Sequence, residues 1–153
     1  MSLCVHQIIN APVSSNCFVI FDHEVNNRCV VVDPGERDDR QLYAFMAQNG
    51  LVPECVILTH EHFDHCWGCL GLHKDFQTPV ICSSKCGSRI PYPKGNLSLF
   101  YDNVGFCCEN RVISTEFLNE RLSWNGRDIV FYHTPGHTDS SISFIIEGNL
   151  FTG

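Results

Sequence analysis

The sequence predicts one mixed α/β domain, an α+β arrangement of sheets and helices, and three observations predict it. Up to Ser114, short β-branched runs alternate with segments of helical period. After Ser114 the apolar stretches are broken by Asn125-Gly126, Pro135-Gly136 and Glu147-Gly148-Asn149, the punctuation of hairpins. No repeat, low-complexity tract or linker divides the 153 residues, a length that suits a single domain spanning 1–153 with its own hydrophobic core.

Taken in order, Val5 to Ile9 and Cys17 to Phe21 read as strands joined by an Asn10-Ala11-Pro12 turn, and Asp22 to Asn27 as a polar hairpin connection. Cys29 to Val32 is a β-branched run stopped by Asp33-Pro34-Gly35. Between Asp38 and Gln48, Leu42, Phe45 and Met46 recur at helical spacing, and Gly50 ends that helix. Val56-Ile57-Leu58 is a buried strand with a histidine-rich stretch at its carboxyl end. Leu70 to Lys74 continues a helix, Pro79 to Cys82 is a strand, Ser84 to Arg89 a short helix and Pro91 to Asn96 a loop. Asn103 to Arg111 carries no pattern that assigns it. Thr115 to Leu118, Arg127 to His133, Ser141 to Ile146 and Leu150 to Thr152 are the strands of the β-rich third.

Composition removes several function classes. The charged fraction is 18% and the formal charge −7, with no run of Lys or Arg, which argues against a grip on nucleic acid or anionic membrane. Apolar stretches such as Cys29 to Val32 are far too short to span a bilayer. Val5, Ile8 and Ile9 are interrupted by His6, Gln7 and Asn10, a pattern that predicts no signal peptide and a cytoplasmic protein. Ten cysteines are then read as reduced thiols rather than a disulfide framework. Cys17, Cys29, Cys55 and Cys82 sit in or beside apolar runs as small hydrophobes. Cys66-x-x-Cys69 and Cys82-x-x-x-Cys86 have the spacing of a structural zinc site. The first pair, however, directly follows the histidines on a helix, so idle thiols with no Cys66–Cys69 disulfide are the preferred reading.

The stretch THEHFDHCWG, Thr59 to Gly68, concentrates the chemistry. On a helix His60 and His62 would face apart, whereas on an extended segment leaving a strand an i, i+2 pair projects to one side. Asp64 and His65 follow after one spacer and can address a second ion close by. The bland reading makes Asp64 an N-cap of the helix through Trp67 and Leu70, with the histidines as surface residues. One loop supplies too few ligands, and His137, on the Pro-Gly turn of HTPGHTDSS, is the candidate partner. His133 reads as a strand residue facing solvent or backing the site, while His6, His23 and His73 stand alone. If His60, His62 and His137 share a tetrahedral ion, their ring nitrogens converge to within ~3–4 Å.

His60-x-His62-x-Asp64-His65 with Gly68 after it resembles the signature of the metallo-β-lactamase fold superfamily. So do VVVDPG (Val30 to Gly35), VILTHEHFDH, TPGHTDSSISF and GNLFTG, and the whole chain is most similar to the glyoxalase II-like hydrolases. The resemblance implies an αββα sandwich, with His60, His62 and His137 on a first metal and Asp64 and His65 on a second. Zinc is the metal implied, one or two ions, with iron as the alternative. The family continues past a position like Gly153 with a bridging aspartate, a further histidine and the last strands and helices. The expectation is therefore a sandwich incomplete at its carboxyl end. Such a chain would hold at most one metal tightly, hydrolyse poorly and self-associate through uncovered apolar surface.

The chemistry implied is attack of hydroxide on a thioester, ester or lactone carbonyl of a small-molecule substrate. Asp64 orients the nucleophile and passes its proton to the leaving group, and Asp33 braces the ligand loop. Persulfide dioxygenases share a similar motif with a single iron, and RNA-processing nucleases share it too, against the −7 charge. Flavodiiron reductases place Glu where this chain has His62. Outside enzymes, a non-catalytic zinc or thiol module would use Cys66, Cys69, Cys82 and Cys86.

Overall fold

The computed structural model describes residues 3–153. Along the chain run β1 (Cys4–Ile9), β2 (Asn16–Phe21), β3 (Arg28–Val32), α1 (Arg40–Gln48), β4 (Val52–Ile57), α2 (Phe63–Cys66), α3 (Cys69–Phe76) and β5 (Val80–Cys82). There follow α4 (Ser84–Arg89), α5 (Ser98–Asp102), β6 (Val112–Ser114), β7 (Arg121–Trp124), β8 (Arg127–His133), β9 (Ile142–Ile146) and β10 (Asn149–Phe151). Strands β1 to β6 lie side by side in chain order, antiparallel from β1 to β3 and parallel from β3 to β6. The second sheet is antiparallel in the order β10-β9-β8-β7.

Side-chain alternation sorts the first sheet between two cores. Val31, Val56 and Val80 pack on one face against Leu42, Met46, Leu72 and Ile90 of the helical layer. Val30, Val32, Ile57 and Ile81 pack on the other against Ile129, Phe131, Phe144 and Ile146 of the second sheet. A strand buried on both faces needs an unbroken apolar run, as Cys29–Val32 provides in β3 and Cys55–Ile57 in β4. The result is a mixed α/β fold of helix, sheet and sheet layers. On the outer face of the second sheet Tyr132 and Leu150 are exposed beside half-buried Val130 and Ile145.

Several elements differ from the sequence reading. Thr115 to Leu118 is not a strand: Glu120 N–H donates back to Thr115 O at 2.9 Å, and Asn119 and Glu120 take left-handed φ of 53° and 56°. That winds the chain into a turn between β6 and β7 and leaves Phe117 exposed. The unassigned stretch before Val112 leads into β6, and α5 falls where no helical period was visible. Asp64 does not cap a helix. It lies in the first turn of α2, whose cap position is His62 and which has no side-chain cap bond.

Asp33, Thr59 and Ser83 follow the carboxyl ends of β3, β4 and β5, so the parallel strands deliver their next residues to one edge, where open α/β sheets bind ligands. Gly35 lets this edge close. A Cβ there would overlap the Asp64 carbonyl and stand 2.7 Å from Asn10 Nδ2. At Gly136 a Cβ would meet nothing within 4 Å. Gly35→Ala is accordingly expected to cost about 2 kcal/mol or more in chemical denaturation, through forced displacement of backbone, and Gly136→Ala less than about 0.5 kcal/mol. Equal costs would contradict this packing.

Candidate metal centre

The chain leaves β4 after Ile57 and is extended at His62, with φ −60° and ψ 144°, and His60 and His62 reach one side, ring centroids 4.7 Å apart. From the second sheet the β8–β9 connection brings His137, whose Nε2 stands 3.1 Å from His62 Nδ1 and whose ring is 4.9 Å from that of His60. One nitrogen from each of the three lies within 4.8 Å of the others, and among the described residues this is the group whose donors could hold a metal ion. The His62–His137 pair falls in the ~3–4 Å range expected around one tetrahedral ion, while the trio as a whole is more open. His65 lies against them, its ring 4.2 Å from His60 and its Nε2 3.5 Å from Asp64 Oδ2. The structure therefore brings all five sequence-selected residues to one place.

A single carboxylate sets the tautomers. Asp33, buried after β3, accepts the Thr59 N–H at Oδ1 (2.8 Å) and the Thr59 hydroxyl at Oδ2 (2.6 Å). With its proton given to Asp33, Thr59 Oγ1 can only accept from His60 Nδ1–H, 3.1 Å away. His60 Nε2 is then a bare lone pair, and it is buried without a hydrogen-bond partner. Asp33 Oδ2 likewise accepts His65 Nδ1–H at 2.9 Å, so in the neutral imidazole Nε2 is the bare nitrogen of His65. An unpaired buried nitrogen is costly, and a cation satisfies converging lone pairs, so this donor set fits a divalent metal ion.

The electrostatics agree. Burial, and next the neighbouring His65, hold His60 down to about 3, and burial and His137 lower His62. Both imidazoles are thus neutral at neutral pH, the form that can bind a metal ion. Burial works against protonated His65, but the hydrogen bond and charge of Asp33 outweigh it, and its pKa is raised. A cleft of about 330 Å³ opens over the site, lined by Ser14, Ser15, Asp64, His65, His137 and Gly153 among others.

Three participants escaped the sequence reading. Glu61, between the two histidines, is buried, its Oε2 accepting the Ser140 hydroxyl and its Oε1 accepting Arg89 Nη1 at 2.7 Å. The only signal in the sequence was an acidic residue flanked by ligand candidates. Other candidates lie elsewhere. His133 Nε2 is 3.3 Å from Glu116 Oε1, and His6 stacks on Phe45 at 3.8 Å. The cysteines form no disulfide, and Cys66, Cys69, Cys82 and Cys86 are buried. Burial pushes the Cys66 thiol well up, and those of Cys29 and Cys55 up to about 12, which suits packing rather than metal binding.

The sequence model of the metallo-beta-lactamase superfamily matches residues 10–153, and the chain belongs to that superfamily. It is 30% identical over 146 residues to a hydroxyacylglutathione hydrolase of Klebsiella pneumoniae, covering 95% of this chain and 49% of that protein. The chain thus spans about half the length of that relative. The crystal structure of BLEG-1 B3 metallo-beta-lactamase shares the fold, with TM-score 0.81 and 24% identity over 94% of this chain and 68% of that one. TTHA1623 in a di-iron-bound form matches with TM-score 0.67 and 22% identity over 92% of this chain and 66% of that one. Among the described residues no helix is long and apolar enough to cross a membrane.

Two outcomes are expected. Asp33→Asn cannot accept the same bonds, so zinc affinity, read by chelator competition, should fall by about 10–100-fold. Unchanged affinity would remove Asp33 from its controlling role. For the metal-free protein, the depressed His60 pKa contributes stability that is complete above about pH 6.5 and is lost as pH falls toward about 3. In His60→Asn the fall in unfolding free energy across that window should be shallower by up to one proton, about 1.4 kcal/mol per pH unit. Parallel curves for the two proteins would contradict it.

Proposed function

We propose that this chain carries the metal-binding part of a hydrolase that opens a thioester, ester or lactone carbonyl of a small-molecule substrate, in the manner of hydroxyacylglutathione hydrolases. The observation that carries the reading is the convergence of His60, His62 and His137 from two sheets, with His60 Nε2 buried and bare. The similarity to the Klebsiella protein supports the substrate class.

Held there, a divalent ion such as zinc would supply a hydroxide nucleophile at neutral pH and Lewis acidity toward the carbonyl. His60 Nε2, His62 Nδ1 and His137 Nε2 would hold it, while Asp64 and His65 would serve a second position with fewer ligands. Asp64 lines the cleft. Its carboxylate accepts the proton of the attacking water and returns it to the leaving thiolate or alkoxide. Asp33 keeps His65 Nε2 free for its task. The neutral imidazoles and the closed edge at Gly35 hold these groups in place before substrate arrives.

Zinc titration should show one tight equivalent, weakened at least about 100-fold by His137→Ala through loss of one of three ligands, with Asp64→Asn affecting mainly any weaker equivalent. A thioester and lactone screen on the metal-loaded protein should find turnover that chelation abolishes and zinc restores. Tight binding indifferent to His62 and His137, or turnover that survives chelation, would overturn the proposal.

A further inference from the structure

We infer that Arg89 is a positioning residue for the metal centre, holding the two ligand-bearing loops in register from α4; the inference rests on reading the histidine trio as a metal site. His60 and His62 follow a strand of the first sheet and His137 lies on the β8–β9 connection of the second, so their mutual placement depends on contacts across the join. Glu61 stands between the first two histidines and Asp139 two residues beyond the third. One atom, Arg89 Nη1, donates to Glu61 Oε1 at 2.7 Å and to Asp139 Oδ1 at 2.6 Å. That nitrogen carries two hydrogens, one for each carboxylate.

The rest of α4 points the same way. Ser83, its cap residue, accepts the Cys86 N–H and donates to the Ser140 carbonyl at 2.7 Å. Ser140 in turn gives its hydroxyl to Glu61 Oε2. Both oxygens of Glu61 are thus taken, one from each end of α4's contacts. Lys85 also reaches Asp139, at 3.1 Å, but both partners of that pair are more than half exposed and contribute little. The Glu61 side chain is only 5% exposed, so its charge has to be met inside the protein, and Arg89 is the cation that meets it. Without Arg89 the Glu61 loop and the Asp139 turn lose their charged anchor and keep only the Ser140 hydroxyl between them, which lets His137 shift from His60 and His62. Contacts one step behind metal ligands are worth about 10–100-fold in metal affinity, which sets the expected effect.

The test measures zinc affinity by chelator competition, and the visible spectrum with Co²⁺, for the wild type and four variants. These are Arg89→Met, Arg89→Lys, Arg89→Met with Glu61→Gln, and Arg121→Ala, which removes an exposed ion pair to Asp128. Arg89→Met should weaken binding by about 10–100-fold and change the Co²⁺ spectrum, with Arg89→Lys intermediate and Arg121→Ala like the wild type. Adding Glu61→Gln removes the unpaired charge, so thermal stability should return while zinc affinity stays low. A positioning role requires that split. Wild-type affinity in Arg89→Met, or affinity that recovers along with stability in the double variant, would overturn the inference. A wild type without zinc affinity would overturn the metal-site reading itself.

Discussion

The Asp33 carboxylate is the constraint on which the rest of this structure depends. It sits where β3 ends, 1% exposed, with its backbone in the left-handed region at φ 48°, a conformation that few residues other than glycine adopt. Such a residue persists only where its surroundings over-determine it. Here its N–H donates to Ile57 O at 3.0 Å, and its own carbonyl accepts Asn10 Nδ2 at 3.2 Å. Its two carboxylate oxygens take three donors from the ligand loop. Through Thr59 it decides which nitrogen of His60 is bare, and directly it decides the same for His65. Proton placement at the site is therefore a consequence of how β3 stops.

The second requirement is to bring a ligand from another sheet to that edge. Ile142 N–H donates to Thr59 O at 2.9 Å, stitching the start of β9 to the end of β4 immediately beside His60. Below this seam lies the apolar core between the sheets, in which Ile57 and Ile142 are both buried. Apolar packing fixes the spacing of the sheets without direction, and the directional part is left to hydrogen bonds. Ser15 adds another from the β1–β2 turn, its hydroxyl donating to the Asp64 carbonyl at 2.5 Å. The edge that carries the histidines is a meeting of loops, each held by a different partner, and it tolerates no side chain at Gly35.

What could be read in the sequence follows from which forces were local. β3 and β4 announced themselves because burial on both faces demands unbroken apolar runs. The histidines announced themselves because an i, i+2 pair with Asp64 and His65 behind it has few structural uses. Other elements are made by side-chain hydrogen bonds and backbone turns that leave no periodic signal. Asn96 Nδ2 donates to the Ile90 and Phe106 carbonyls at 3.0 and 2.9 Å and so shapes the segment around α5, which no periodicity reveals. Thr115 to Leu118 has the composition of a strand, but the left-handed Asn119 and Glu120 turn it back. Glu61 reads as a solvated acid until Ser140 and Arg89, 79 and 28 residues away in the chain, are seen to hold it. Asp33 was legible as a brace, though its control over two tautomers was visible only in three dimensions.

X-ray absorption at the zinc edge of the metal-loaded protein tests the central claim, that three imidazoles from two sheets share one ion. Three nitrogen neighbours at about 2.0–2.1 Å with imidazole multiple scattering, and no sulfur, are expected. A shell of sulfur at about 2.3 Å would instead place the metal on the buried thiols and contradict the account.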